Sequence, residues 1–344
     1  MNRRSFLKSS IGLALASDLI AAPEPPKPKI KIGFLGMSHS HAAGKLKVVQ
    51  ESPEFELAGI SEESEKTREP YGSTGVKFLS RDELFNASSV VAVESAVRDH
   101  AGYAKLALQA GKHVHVEKPP ADTLKEFQEL ISLARAKNLL LQTGYMWRYN
   151  PGLMAAIQAA KSGWLGEIYL VRATMNSHIA GDRRPEWAEF KGGSMFELGS
   201  HLVDAVVRLM GRPRNVSSLI KKHGDFADTL ADNTVAVLEF AKATGIITSS
   251  TLQPNAGDHR FFEILGSNGT ALLKPIEPPS LQIDLLKPAG PYAAKSQTIT
   301  FPPYRRYVGD FAELAQAVRG ERALSVSLEE ELLVHETLMR VCEM

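Results

Sequence analysis

The sequence predicts an α/β chain in two parts. An N-terminal, Rossmann-type doubly wound parallel sheet is followed by a C-terminal α+β domain with a large, mainly antiparallel sheet. Two patterns lead there. From residue 29 to 143 short β-branched runs alternate with amphipathic helical segments, the order of a parallel sheet covered on both faces. Past Met210 that alternation ends, and strand-like segments follow one another across short turns, which is antiparallel order.

Composition bounds the answer. The 344 residues are 44% hydrophobic and 23% charged, enough apolar surface for two cores. A formal net charge of +1 offers nothing that would draw nucleic acid or an anionic membrane. The single cysteine, Cys342, leaves no internal disulfide and no cysteine near the start for a lipid anchor. Asn2-Arg3-Arg4-Ser5-Phe6-Leu7-Lys8 reads as a twin-arginine export signal, with a weak apolar core over 11–16 that Asp18 interrupts. Pro23 to Pro28 reads as a stiff, extended linker. The expected division is a signal and linker over 1–28, a dinucleotide-binding domain over 29–145, and a substrate and oligomerisation domain over 146–344. Export by the twin-arginine machinery would place the chain in the periplasm.

The first strand is expected at 29–35 and the first helix at 42–50. Between them Gly36-Met37-Ser38-His39-Ser40-His41 stands where a G-x-G-x-x-G fingerprint would, with only the first glycine kept. Gly36 suits the tight turn, and phosphate can still be held by backbone N–H groups at the helix start. The second strand, 57–60, is followed by Glu62. That spacing suits an acid that holds a ribose 2′-hydroxyl and repels a 2′-phosphate, so NAD is expected over NADP. The alternative is a solvated acid in the run Glu62-Glu63-Ser64-Glu65. A third strand over 90–93 leads into a helix over 99–110, with Asp99 as N-cap and His100 at its start. Gly111 is expected as a left-handed C-cap. The strand 113–116 then delivers Glu117-Lys118-Pro119 at its carboxyl end, where open α/β sheets bind ligands. A helix over 123–137, capped by Asp122 or Thr123, and a strand over 139–143 complete this domain.

In the second part Gly192-Gly193 precedes a helix with apolar positions at Met195, Leu198, Leu202, Val206 and Leu209. On it Glu197 and His201 are four apart, on one face, with Asp204 three further on. A carboxylate so placed can orient an imidazole that accepts a proton from an alcohol. Strands are expected at 215–222, 234–240, 246–252, 261–265 and 270–273, and closing helices at 307–318 and 328–341. Arg148, between the two parts, reads equally as a cleft residue or as a structural ion-pair partner. Arg172, Asn176, His178, Arg183, Arg184 and Trp187 could line a pocket, though nothing in the sequence separates them from an ordinary polar loop.

The order helix, Gly111, strand, Glu117-Lys118-Pro119 resembles the Gfo/Idh/MocA family of NAD(P)-dependent sugar and cyclitol oxidoreductases. Gly144 with Arg148 and Asn150-Pro151, and Trp164-Leu165-Gly166-Glu167-Ile168, resemble that family too. So does Gly192-Gly193 through Glu197, Gly199, His201 and Asp204, where Glu197 stands for the family's usual aspartate. The resemblance runs from residue 29 to the C-terminus. It implies that Gly36, Met37, Ser38, His39, Glu62, His100, Glu117, Lys118 and Pro119 bind the cofactor, with a cis peptide before Pro119. It implies Lys118 beside the reacting oxygen, His201 as the base and Glu197 orienting it. It further implies Arg148, His178, Trp187 and Asp204 on the substrate, and a homo-oligomer formed through the antiparallel sheet.

Three other readings stay open. An exported enzyme would hold its NAD tightly, which suits either sugar oxidation or redox-neutral, NAD-dependent cleavage of a glycoside. Ser38, His41, the altered loop at 94–100 and Glu197 would also suit a non-catalytic nucleotide- or sugar-binding protein. Finally, His39, His41, His113, His115 and Glu117 could be metal ligands of a hydrolase on a β/α barrel. The second half lacks repeating βα units, so no metal is expected.

Overall fold

The computed structural model describes residues 27–179 and 181–344. The twin-arginine motif therefore lies outside the described residues. The first sheet contains β1 (Ile30–Leu35), β2 (Phe55–Ser61), β3 (Val90–Val93), β4 (His113–Val116) and β5 (Leu141–Thr143). Its order is β2-β1-β3-β4-β5 and every pairing is parallel. β3 is buried throughout, as its unbroken apolar run requires for a strand covered on both faces.

Register decides where the site forms. Leu35 pairs with Val93, Val93 with Val116, and Val116 with Thr143. The carboxyl ends of β1, β3, β4 and β5 thus lie level, and the loops that begin at Gly36, Glu94, Glu117 and Gly144 leave from one edge. Gly36 has φ +78°, and a β-carbon there would meet Ser95 at 2.7 Å. Only glycine allows both that turn and that approach.

The second sheet comprises β6 (Ile168–Thr174), β7 (Asn215–Lys221), β8 (Asn233–Glu239), β9 (Thr244–Ser250), β10 (Phe261–Gly266), β11 (Gly269–Leu273), β12 (Ser280–Leu285) and β13 (Lys295–Thr300). Its order is β13-β12-β11-β10-β6-β9-β8-β7, antiparallel except where β6 meets β9. Helices Pro151–Lys161 and Ser200–Met210 cover its inner face. No described helix is long and apolar enough to cross a membrane.

Several expectations change. Strands β12 and β13 and the helix Pro151–Lys161 were not anticipated. The helix has a readable start nonetheless, since Asn150 caps the N–H groups of Gly152 and Leu153 and Pro151 follows. Thr123, not Asp122, caps its helix, and Asp99 makes no side-chain cap. The chain also crosses back over the 145/146 boundary. Phe311 packs against Phe55 and His115 of the first domain, and the helix Leu328–Cys342 packs against Leu124–Lys137. The C-terminal helices return to the dinucleotide-binding half, and one apolar core runs through both sheets.

Candidate active site

Lys118, Glu197 and His201 line one cleft of about 160 Å³, together with His39, Trp187 and Arg260. The Lys118–Pro119 peptide is cis. Lys118 Nζ donates to Glu197 Oε2 at 3.1 Å and to the Glu197 carbonyl oxygen at 3.0 Å. That corrects the expected pairing, because Glu197 serves Lys118 and forms no hydrogen bond to His201. The local cause is helical geometry. Met195–Gly199 is a π-helical turn and the α-helix begins only at Ser200, so four-residue spacing no longer stacks Glu197 over His201. Gly193, at φ +49°, admits the chain to this helix where a β-carbon would overlap the Ala231 carbonyl oxygen.

His201 is buried between the rings of Tyr145 and Trp147, 5.8 and 5.2 Å away centre to centre. Its Nδ1 has no hydrogen-bond partner among the described residues. Burial, reinforced by the nearby Lys118 ammonium, holds the imidazole well below its ordinary value of 6.5. It is therefore neutral, the form that accepts a proton.

Behind the cleft lies a buried charge cluster. Glu117 accepts the Lys118 N–H at 2.7 Å, the Lys45 ammonium at 2.5 Å and the His41 ring at 2.9 Å. Lys45 also reaches Glu94 at 2.8 Å and His115 at 2.8 Å. One ammonium cannot neutralise two carboxylates. Burial alone would raise both, but Lys45, His41 and His39 hold Glu117 well below the carboxylate range, while Glu94 is pushed up to about 8. Glu94 Oε2 has no partner among the described residues, in keeping with the protonated role. Asp310, also without partners on either oxygen, is pushed up to about 7 by burial.

The expected cofactor residues sort differently. His39, Ser40 and His41 line the cleft from the turn, on which Ser38 is exposed, and Glu62 accepts the Met37 N–H at 2.8 Å and the Ser64 N–H at 2.9 Å. The N–H groups of Ser38 and Ser40 have no partner among the described residues. The tight turn and these free donors at a helix start fit a dinucleotide pyrophosphate. Glu117 does not line the cleft; it is fully buried and neutralises Lys45. His100 is buried too, wedged between the carbonyl oxygens of Pro119 (2.7 Å) and Ser95 (3.1 Å), so it braces two loops and does not line the cleft.

Of the expected pocket residues Trp187 and Arg183 line the cleft. Arg148 lies behind it, its guanidinium clamped by Asp204 at 2.8 Å and Glu331 at 2.6 Å. Both Arg148 and Asp204 are thus consumed in a buried ion-pair cluster. His178 is exposed, because strand alternation turns Ser177 and Ile179 into the cleft and His178 away from it. Sequence reasoning missed Glu186, Arg260 and Arg306 in the lining. They come from separate segments with no motif around them.

The histidine-rich reading resolves as well. Ligand atoms of His39, His41 and Glu117 lie within 4.8 Å of one another. Lys45, however, already supplies that carboxylate with the positive charge a metal would bring. His115 faces Lys45 and Gln142, His113 accepts the Leu140 N–H, and the sheets form no barrel. The β/α-barrel hydrolase is excluded by topology.

Comparison with known proteins agrees with this geometry. Residues 30–145 match a family model described as "Oxidoreductase family, NAD-binding Rossmann fold". Residues 153–272 match the GFO/IDH/MocA C-terminal domain, so the two together span over two thirds of the chain. An uncharacterised oxidoreductase of Schizosaccharomyces pombe is 27% identical over 273 residues, 74% of each chain. The scyllo-inositol 2-dehydrogenase (NADP(+)) of Bacillus subtilis is 26% identical over 238 residues, 66% of this chain and 64% of that one. A solved oxidoreductase of Agrobacterium radiobacter, in complex with NAD+, L-tartaric acid and magnesium, superposes with a TM-score of 0.80 at 15% identity, over 92% of this chain and 96% of that one. That last likeness shows the fold.

Proposed function

The chain belongs to the Gfo/Idh/MocA oxidoreductase family, and from that premise we propose that it oxidises or reduces a carbon-bound hydroxyl of a sugar, cyclitol or glycoside. The single observation that carries this reading is the convergence of Lys118 and a neutral His201 on one cleft beside the Gly36 turn. Nicotinamide, when bound, supplies the hydride acceptor or donor. Ser38 and Ser40 offer backbone N–H groups to its pyrophosphate, and Glu62 favours the free 2′-hydroxyl of NAD over a charged 2′-phosphate. His201 takes the hydroxyl proton. Lys118 donates a hydrogen bond to the same oxygen and stabilises the negative charge that develops there. Glu197 holds the ammonium in place. His100 and Glu117 fix the backbone around Lys118, from Ser95 to Pro119.

The test begins with the cofactor. The chain is purified without added nucleotide, denatured, and its released small molecules are identified by mass spectrometry. Bound NAD(H), or uptake of added NADH by the empty protein, is the expected result. Protein that carries no dinucleotide and takes up none overturns the proposal. With cofactor bound, products divide the readings. A keto or lactone product with NADH formed marks the dehydrogenase, and a released reducing sugar without net NADH marks redox-neutral glycoside cleavage.

A further inference from the structure

Arg260 directly precedes β10 and lines the cleft with Lys118 and His201. Its Nε donates to the Asn176 carbonyl oxygen at 2.9 Å, which fixes the guanidinium plane, and neither Nη group has a hydrogen-bond partner among the described residues. Arg183, exposed at the cleft, lies over the Trp187 ring, and the other cations nearby each have a carboxylate. Lys118 has Glu197, Arg306 has Glu277, Arg184 has Asp228 and Asp232, and Lys45 has Glu117. Arg260 pairs with no carboxylate among the described residues. Burial, and then repulsion from Arg306, lower its hold on its proton, and Glu277 offsets this only in part. A half-buried guanidinium beside a second arginine, without a counter-ion, is unfavourable until an anion arrives.

We propose that Arg260 is a substrate-binding residue, and that the substrate is an acidic sugar whose carboxylate or phosphate oxygens are held by the two Nη groups while its hydroxyl reaches Lys118 and His201. A guanidinium braced at Nε presents its remaining donors in a planar fork, the geometry that matches paired oxyanion oxygens. Arg306 adds positive potential on the same side. This assignment rests on the oxidoreductase reading for the hydroxyl's fate, but not for the anion's binding.

The experiment is calorimetric titration of the full chain, with and without NADH, by matched probes: D-glucuronate against D-glucose, D-galacturonate against D-galactose, and glucose 6-phosphate. The acids are expected to bind about tenfold to a hundredfold more tightly than their neutral partners, with the preference shrinking at high salt. Carboxylate and phosphate arms show which oxyanion the site takes. Arg260→Gln is expected to abolish the ratio, and Arg260→Lys, which keeps the charge without the fork, to retain part of it. Equal binding of acid and neutral sugar, binding of no probe, or a preference that survives Arg260→Gln would overturn the proposal. Loss of NADH binding in Arg260→Gln would overturn it too, by assigning the arginine to the cofactor. Acid preference in a wild-type chain that never binds NADH would instead sink the oxidoreductase reading and leave the anion site standing.

Discussion

Lys118, from the dinucleotide-binding half, and Glu197, from the helix that packs on the second sheet, are joined by two hydrogen bonds of 3.1 and 3.0 Å with both residues almost wholly buried. The ammonium that would touch the reacting oxygen is therefore positioned by a residue of the other half. Lys118→Met should still bind NADH while kcat/KM falls by about a hundredfold or more. Stopped-flow hydride transfer checks it; an unchanged rate would remove Lys118 from the chemistry.

The pH dependence follows from His201. Burial keeps its imidazole well below 6.5, so the neutral base persists at pH values where an exposed histidine would be protonated. Oxidation should stay flat as pH drops through 6.5 rather than halve there. His201→Asn should abolish turnover at every pH. A wild-type rate profile that bends at 6.5 would mean that a different, exposed group acts as the base.

Asp310 gives a stability prediction with a definite sign. Its carboxyl lies at about 7 in the folded chain against 3.8 for the free group. Between those values the folded state binds more protons than the unfolded one, so this group's contribution to stability falls as pH rises from about 4 to 7. Asp310→Asn removes that loss. Relative to wild type it should gain up to roughly 4 kcal/mol between pH 4 and pH 8, read by urea denaturation at both. An equal effect at the two pH values would show that Asp310 is ionised throughout.

Arg148→Leu leaves Asp204 and Glu331 buried without their cation. A loss of about 3–5 kcal/mol in chemical denaturation is expected, with the substrate KM of the surviving folded enzyme unmoved. A raised KM at unaltered stability would return Arg148 to the substrate.

Glu62→Ser removes the carboxylate at the end of β2. The ratio of NADP to NAD affinity should rise by about tenfold, since the repelled 2′-phosphate is then tolerated. A ratio that stays put would mean Glu62 only fastens the turn through Met37 and Ser64.

Much of the first domain was legible because its information is local. Unbroken apolar strands, Gly36 at a forced positive φ and Gly111 at φ +75° each follow from a few adjacent residues. Lys118 was readable for the same reason, at the carboxyl end of β4 where parallel strands must end level. The Glu197–His201 pairing was not. A π-helical turn of five residues rotates the acid away, and nothing in the i,i+4 pattern announces it. Arg148, His100 and Glu117 were singled out as site residues, yet their charges and ring nitrogens turn inward.

By itself, then, the sequence determined the two-sheet architecture and the turn at Gly36, while the meeting of Lys118 and His201 was implied only by the family resemblance. Periodicity and backbone preference are properties of neighbours along the chain, so they can be read there. Only the tertiary structure decided which charge answers which. Glu117 meets Lys45 across 72 residues, Arg148 meets Glu331 across 183, and Arg260 meets no carboxylate at all among the described residues. A buried charge must be neutralised by whatever packing brings within reach, and the sequence holds no record of that distance.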